Sequence, residues 1–188
     1  MLWNERKMLN LKPLVHRILE DYTLPWHGIH GVGHWARVLE NGLRLARETN
    51  ANIEVVQLFA IFHDAGRGDE GYDLGHGRRG AELARLFRTE WLVLADEKFD
   101  LLYEACAGHA DGDTEADITI QTCWDADRLD LGRVAICPEP TMLCTEAAKR
   151  PEILKWADGR ACFEVIPDFV LDDWGIDLEG SDKENQPD

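Results

Sequence analysis

The sequence predicts an all-α protein, and three observations carry that expectation. Apolar residues recur at spacings of three and four in every long segment up to about residue 132. One stretch, 53–64, is apolar nearly all round, as expected of a buried central helix. Two glycines, Gly66 and Gly68, follow that stretch at once and stop it.

The elements follow in order. Met8, Leu11, Leu14, Val15, Ile18, Leu19 and Tyr22 form one apolar stripe, and Trp35, Val38, Leu39, Gly42, Leu45 and Ala46 form a second. After the central helix comes a glycine-rich stretch holding Gly66, Gly68, Gly71, Gly75, Gly77 and Gly80. Long connections of this composition often serve as lids, so it is expected to line a cleft mouth and to move. Further helices are expected at about 77–90, 96–109 and 114–132. The stretch 138–151, proline at both ends, holds at least one short helix. Residues 160–170 read as a strand or an irregular return. The tail, 171–188, carries seven acidic residues and one lysine and is expected to be partly disordered, from about residue 180 onward.

At 188 residues the chain is long enough for one domain with its own core, placed here at 1–170. Twenty basic against thirty-six acidic residues give a formal charge of −16. A duplex nucleic-acid binder usually shows a basic footprint, and none is visible. The five cysteines are odd in number and form no C-x-x-C pair, so neither a disulfide framework nor a cysteine zinc site is indicated. Neither a signal-peptide stretch nor an apolar run of roughly 20 residues occurs. A cytoplasmic protein with no membrane association is expected; oligomeric state is not legible. The only serine, Ser181, stands in the acidic tail, which removes a serine triad, and no Walker-type or dinucleotide-type glycine pattern is present.

The chemistry concentrates at His63-Asp64, which ends the apolar run Val55–Phe62. An imidazole and a carboxylate placed there need compensation, because an unpaired buried charge is costly. A divalent transition metal (Mn, Fe, Co, Ni or Zn) supplies it, since both groups are good ligands. His34 stands on an earlier segment and three aspartates on a later one, Asp125, Asp127 and Asp130. At about 100° per residue, Asp127 falls on the broad apolar stripe of Ile120, Cys123, Trp124 and Leu131, Asp125 on a narrower one, and Asp130 among polar positions. Asp127 is therefore the carboxylate expected to point inward, with Asp125 as its main competitor.

The order His34, His63-Asp64, Asp127, with the opening H-x-x-x-H-x-x-R-V at His30 to Val38 and the string Ala126-Asp127-Arg128-Leu129, resembles the HD superfamily of metal-dependent phosphohydrolases. The likeness runs from about residue 30 to 131 and is strongest to short stand-alone bacterial members. It implies a helical bundle with a metal in a central cleft, ligated by His34, His63, Asp64 and Asp127, with His30 beside it. It also implies that His76 and His109 hold a second metal, bind substrate phosphate, or cap helices. Asp64 would belong to the catalytic machinery, and Asp69, Glu70 or His109 would handle the proton; the sequence singles out none of these. Arginine's planar fork suits phosphate, and Arg37, Arg67, Arg78, Arg79 and Arg128 lie within or beside the motifs. Arg78 and Arg79, at the start of a helix after His76, are expected to close on substrate phosphate together with Arg37 and His30.

Two departures limit the inheritance. The (p)ppGpp hydrolases of the superfamily carry an acidic pair soon after the HD doublet, where this chain has Ala65-Gly66-Arg67-Gly68. The cyclic-di-GMP class carries a G-Y-P signature that is missing. The expectation is thus a metal-dependent phosphohydrolase acting on a small phosphate ester, with nucleotides among the candidates. The alternatives are an HD-fold di-iron oxygenase and a non-catalytic metal- or nucleotide-sensing module.

Overall fold

The computed structural model describes residues 8–178. Its α-helices are α1 (Lys12–Leu19), α2 (Val32–Thr49), α3 (Ile53–Phe62), α4 (His76–Phe87), α5 (Asp96–Gly108), α6 (Ile118–Arg128), α7 (Pro151–Cys162) and α8 (Phe169–Asp172), with 3-10 turns at Leu131–Val134 and Pro140–Met142. Among the described residues the protein is all helical.

Helix α3 is the axis of the bundle. Asn52 starts it by accepting the N–H groups of Glu54 and Val55, which satisfies two otherwise orphaned donors. Nine of its ten residues are buried, because α2, α4, α5 and α6 all pack on it. Helix α2 lies between α3 and α6, and α4 runs beside α5. A second, smaller core of Leu45, Leu129, Leu143, Ala148, Ile153 and Ala157 sits beneath α7.

Several segments differ from the expectation. The first stripe enters its helix only at Lys12, and Met8 is exposed. A helix running from Met8 would need the N–H of Pro13 to reach back one turn, and proline has none. Helix α6 begins at Ile118 rather than 114, where Asp117 accepts the Thr119 N–H at 2.7 Å. Helix α7 is an element that the periodicity did not announce. It carries the chain helically to Cys162, and Glu164 turns it with φ +48°. The 160–170 stretch is therefore no strand; Phe163 and Ile166 are exposed rather than forming a buried face. In the acidic tail Trp174, Ile176 and Leu178 are buried in the main core, and the part from about residue 180 lies outside the described residues.

Candidate metal centre

Every candidate donor sits at a helix end, where side chains from different elements can converge. His34 lies in the first turn of α2, His63 caps α3 with Asp64 next to it, His76 opens α4, His109 caps α5, and Asp127 lies in the last turn of α6.

Three close approaches make this convergence fit. A methyl group on Gly80 would lie 2.3 Å from the Phe62 carbonyl oxygen and 2.7 Å from that of His63. One on Gly66 would lie 2.6 Å from the Gly80 nitrogen, and one on Gly77 would lie 2.6 Å from the Cys106 carbonyl oxygen and 3.0 Å from His109 Nδ1. The glycines thus let α4 lie directly on the C-terminal ends of α3 and α5. Three of the six glycines expected to loosen a lid are packing residues.

The histidines meet in two pairs. His34 Nε2 and His63 Nε2 are 2.9 Å apart, and so are His76 Nε2 and His109 Nε2. The other ring nitrogens are all committed. His34 Nδ1 donates to Asp130 Oδ2 at 2.7 Å, His63 Nδ1 to the Phe59 carbonyl at 3.2 Å, His76 Nδ1 to the Asp73 carbonyl at 2.6 Å, and His109 Nδ1 to the Cys106 carbonyl at 2.8 Å. A carbonyl or carboxylate only accepts, so each Nδ1 carries the hydrogen and each neutral Nε2 presents a lone pair. Two lone pairs at 2.9 Å repel unless a cation or a shared proton lies between them.

Asp64 sits between the pairs. Its Oδ2 is 3.6 Å from His34 Nε2 and 3.8 Å from His63 Nε2, and its Oδ1 is 3.4 Å from His76 Nε2 and 3.5 Å from His109 Nε2. His30 Nδ1 donates to Oδ2 at 2.7 Å and Arg67 Nε to Oδ1 at 3.1 Å, which fixes the carboxylate. Asp127 Oδ1 is buried and makes no hydrogen bond among the described residues; it lies 3.4 Å from His34 Nε2 and 3.8 Å from His63 Nε2. Two donor groups, His34–His63–Asp127 and Asp64–His76–His109, each have ligand atoms within 4.8 Å of one another, as does a third, His30–His34–Asp64. An acceptor-only cluster with an orphaned carboxylate oxygen is what a divalent cation needs, and these groups are positioned to hold metal.

The titration directions of His63, His76, Asp64 and Asp127 agree with that, and only His109 runs the other way. Burial pushes the His63 imidazole down to about 3, so it is neutral and free to ligate. Burial also lowers His76. For Asp64 and Asp127 burial acts the other way but loses to the surrounding imidazoles, and both carboxyls are held well below their usual range. Burial would lower His109 too, yet its contact with Asp64 prevails and raises it.

The three aspartates in and just after α6 are all turned inward, in three different jobs. Asp127 faces the histidines. Asp125 is fully buried and accepts the N–H of Cys144, the N–H of Thr145 and the Thr145 hydroxyl, so it fastens the segment after the 3-10 turn Pro140–Met142. Asp130, which helical phase placed among polar positions, is buried between His34 and Arg37. Helix α6 ends at Arg128, so the chain has left the 100° progression before it reaches Asp130.

Other expected residues stand elsewhere. Arg37 is spent on Asp130 and the Val165 carbonyl. Arg78 is exposed, and Arg79 binds the carbonyls of Gly66 and Leu74 and the Asp73 carboxylate. Arg78 thus faces solvent and Arg79 fastens the loop. His30 is a partner of Asp64 before it is a ligand for anything else. Asp69 is exposed and accepts the Gly71 N–H in a local turn. Among the described residues Glu70 has both carboxylate oxygens buried without a hydrogen bond, tucked against Gly28, where a methyl group would fall 2.0 Å from its Oε1. Arg128 holds the Met142 and Asp113 carbonyls.

One neighbour of the donors was not anticipated. Arg133, in the 3-10 turn Leu131–Val134, brings Nη2 to 3.8 Å from Asp127 Oδ1. Its only sequence signal is its place three residues after Asp130.

A family model described as HD domain matches residues 31–132, a span that includes His34, His63, Asp64, His76, His109 and Asp127. No curated protein and no solved structure matches the chain. Among the described residues no helix is long and apolar enough to cross a membrane.

Proposed function

The chain belongs to the HD-domain family, and from that premise we propose that it is a metal-dependent phosphohydrolase acting on a small phosphate ester. The observation that carries this reading is the pair of histidine contacts at 2.9 Å, both with lone pairs facing, on either side of Asp64. One ion would be held by His34, His63, Asp127 and Asp64 Oδ2, and a second by His76, His109 and Asp64 Oδ1. A divalent ion bound here would supply a Lewis acid for a phosphoryl oxygen and a water nucleophile at neutral pH.

The chain's own residues do the rest. His30 and Arg67 hold Asp64 in one orientation between the two donor groups. Asp130 holds the His34 tautomer, as outer partners of metal-binding histidines do. Arg67 and Arg133 place positive charge beside the acidic donors, which favours an anionic substrate in a protein of high negative charge. Of the two carboxylates proposed to handle the proton, Glu70 is the more available: its oxygens have no hydrogen bond among the described residues, whereas Asp69 is used by its turn.

The deciding experiment is elemental analysis of protein purified without chelator, with a screen of phosphate esters under added Mn, Co, Mg or Ni. Hydrolysis with one or two metals per chain supports the reading. The six donors also suit a di-iron oxygenase, and two irons per chain with no phosphatase activity would decide for that instead. Metal binding with neither activity would decide for a sensing module.

A further inference from the structure

Beside the donors lies a cleft of about 240 Å³, with His34 and Arg133 in its wall alongside Ile29, Glu164, Ile166 and Leu178. Pockets for drug-sized ligands run from about 300 to 1,000 Å³, so this one suits a smaller group. Ile29, Ile166 and Leu178 give it apolar walls, and Glu164 adds an acidic residue to its lining.

Arg133 is nearly buried, with 6% of its side chain exposed. Two of its nitrogens are fixed: Nε donates to the Ile29 carbonyl at 2.9 Å and Nη1 to the Asp130 carbonyl at 3.0 Å. The third, Nη2, is aimed at the donors and lies 3.5 Å from His30 Nδ1 and 3.8 Å from Asp127 Oδ1. His30 Nδ1 cannot accept from it, because its hydrogen goes to Asp64 Oδ2 and its lone pair is in the ring system. The Asp127 contact is beyond hydrogen-bond length. Nη2 is thus held in place by the rest of the guanidinium while its own hydrogens lack an acceptor among the described residues. The other nearby arginines are used up, Arg37 on Asp130 and Arg67 on Asp64 and the carbonyls of Asp69 and Gly71.

We propose that Arg133 grips the substrate's phosphoryl group through Nη2, and that the cleft takes a small hydroxylated alcohol, so that the substrate is a compact phosphomonoester rather than a nucleoside di- or triphosphate. This rests on the phosphohydrolase reading above. Glu164 accepts from a hydroxyl group and repels a second phosphate.

The test uses the full chain loaded with Mn. Binding of inorganic phosphate is measured by calorimetry, and hydrolysis of p-nitrophenyl phosphate, glycerol phosphate and ATP is followed in the wild type, Arg133→Ala, Arg133→Lys and Glu164→Gln. In Arg133→Ala the phosphate Kd and the KM for both monoesters rise about tenfold or more, the scale of one charge-assisted contact, while metal content is unchanged. Arg133 also ties two carbonyls, so Ala can unfold the chain; Arg133→Lys, which keeps the charge and loses the fork, then carries the test with a smaller rise. Glu164→Gln raises the ATP to glycerol phosphate ratio of kcat/KM severalfold. Wild-type phosphate affinity in a folded, metal-loaded Arg133 variant overturns the grip, and an unchanged ratio in Glu164→Gln overturns the substrate class. A wild type that binds metal but neither binds phosphate nor hydrolyses any ester overturns the phosphohydrolase reading itself.

Discussion

His34 Nδ1 and Asp130 Oδ2 lie 2.7 Å apart, both fully buried, and Arg37 holds the same carboxylate through Nε and Nη2. The carboxylate fixes which imidazole nitrogen carries the hydrogen, and so which one is left to ligate. Burial would raise the Asp130 carboxyl, but His34 and Arg37 outweigh it and hold it down. Asp130→Asn is expected to weaken metal binding by about 10- to 100-fold, read by chelator competition on protein shown to be folded. Unchanged affinity would leave Asp130 with a purely structural role.

Asp125 and Asp127 predict opposite phenotypes. Asp125→Ala strands two buried donors and one part-buried donor, each buried one costing about 1–3 kcal/mol, and should lower stability while metal binding in the folded fraction survives. Asp127→Ala removes an oxygen that no hydrogen bond holds, so it should abolish or weaken metal binding with little loss of stability. Urea midpoints and metal titration on the two variants check the contrast, and a reversed pattern would exchange the assignments.

Asp64→Ala should remove the metal and any hydrolytic activity, since Asp64 touches both histidine pairs. Full metal occupancy in that variant would rule out the donor set.

Gly80→Ala puts a methyl group against the Phe62 and His63 carbonyls, which are backbone and cannot swing aside. Overpacking of this kind costs about 1–3 kcal/mol, or several degrees of Tm in a protein of this size. Thermal unfolding with and without metal is the check, and a wild-type Tm would mean that α4 shifts without cost.

Asp73 ties the loop together by accepting the Gly68 N–H and pairing with Arg79. The Gly68 contact first, and Arg79 second, hold its carboxyl below the ordinary value of 3.8. A depressed folded value contributes stability that is fully present above the ordinary value and is lost as pH falls through the lower one. The Tm gap between the wild type and Asp73→Asn should therefore be constant near neutrality and narrow below about pH 4. A gap that stays constant down to pH 3 would show that the carboxylate charge does not matter to the loop.

The sequence by itself determined the helical bundle, and it singled out His34, His63, Asp64 and Asp127, which the fold brings together. Apolar periodicity reports which face of a helix is buried, and the run ending in His63-Asp64 could be tolerated only with a compensating partner. It did not determine what lies past a helix end. Asp130 was assigned among polar positions because a 100° progression was carried through Leu129, where the helix has already stopped. Gly66, Gly77 and Gly80 looked like a flexible stretch because a glycine that frees the backbone and one that admits a neighbouring helix are the same letter; only the packed carbonyls of Phe62, His63 and Cys106 tell them apart. Arg78 and Arg79 stood beside the motif in sequence yet turn to solvent and to the loop, while Arg133, outside every expected motif, reaches Asp127. Which arginine faces the donors depends on contacts between elements distant along the chain, and those are decided by tertiary packing alone.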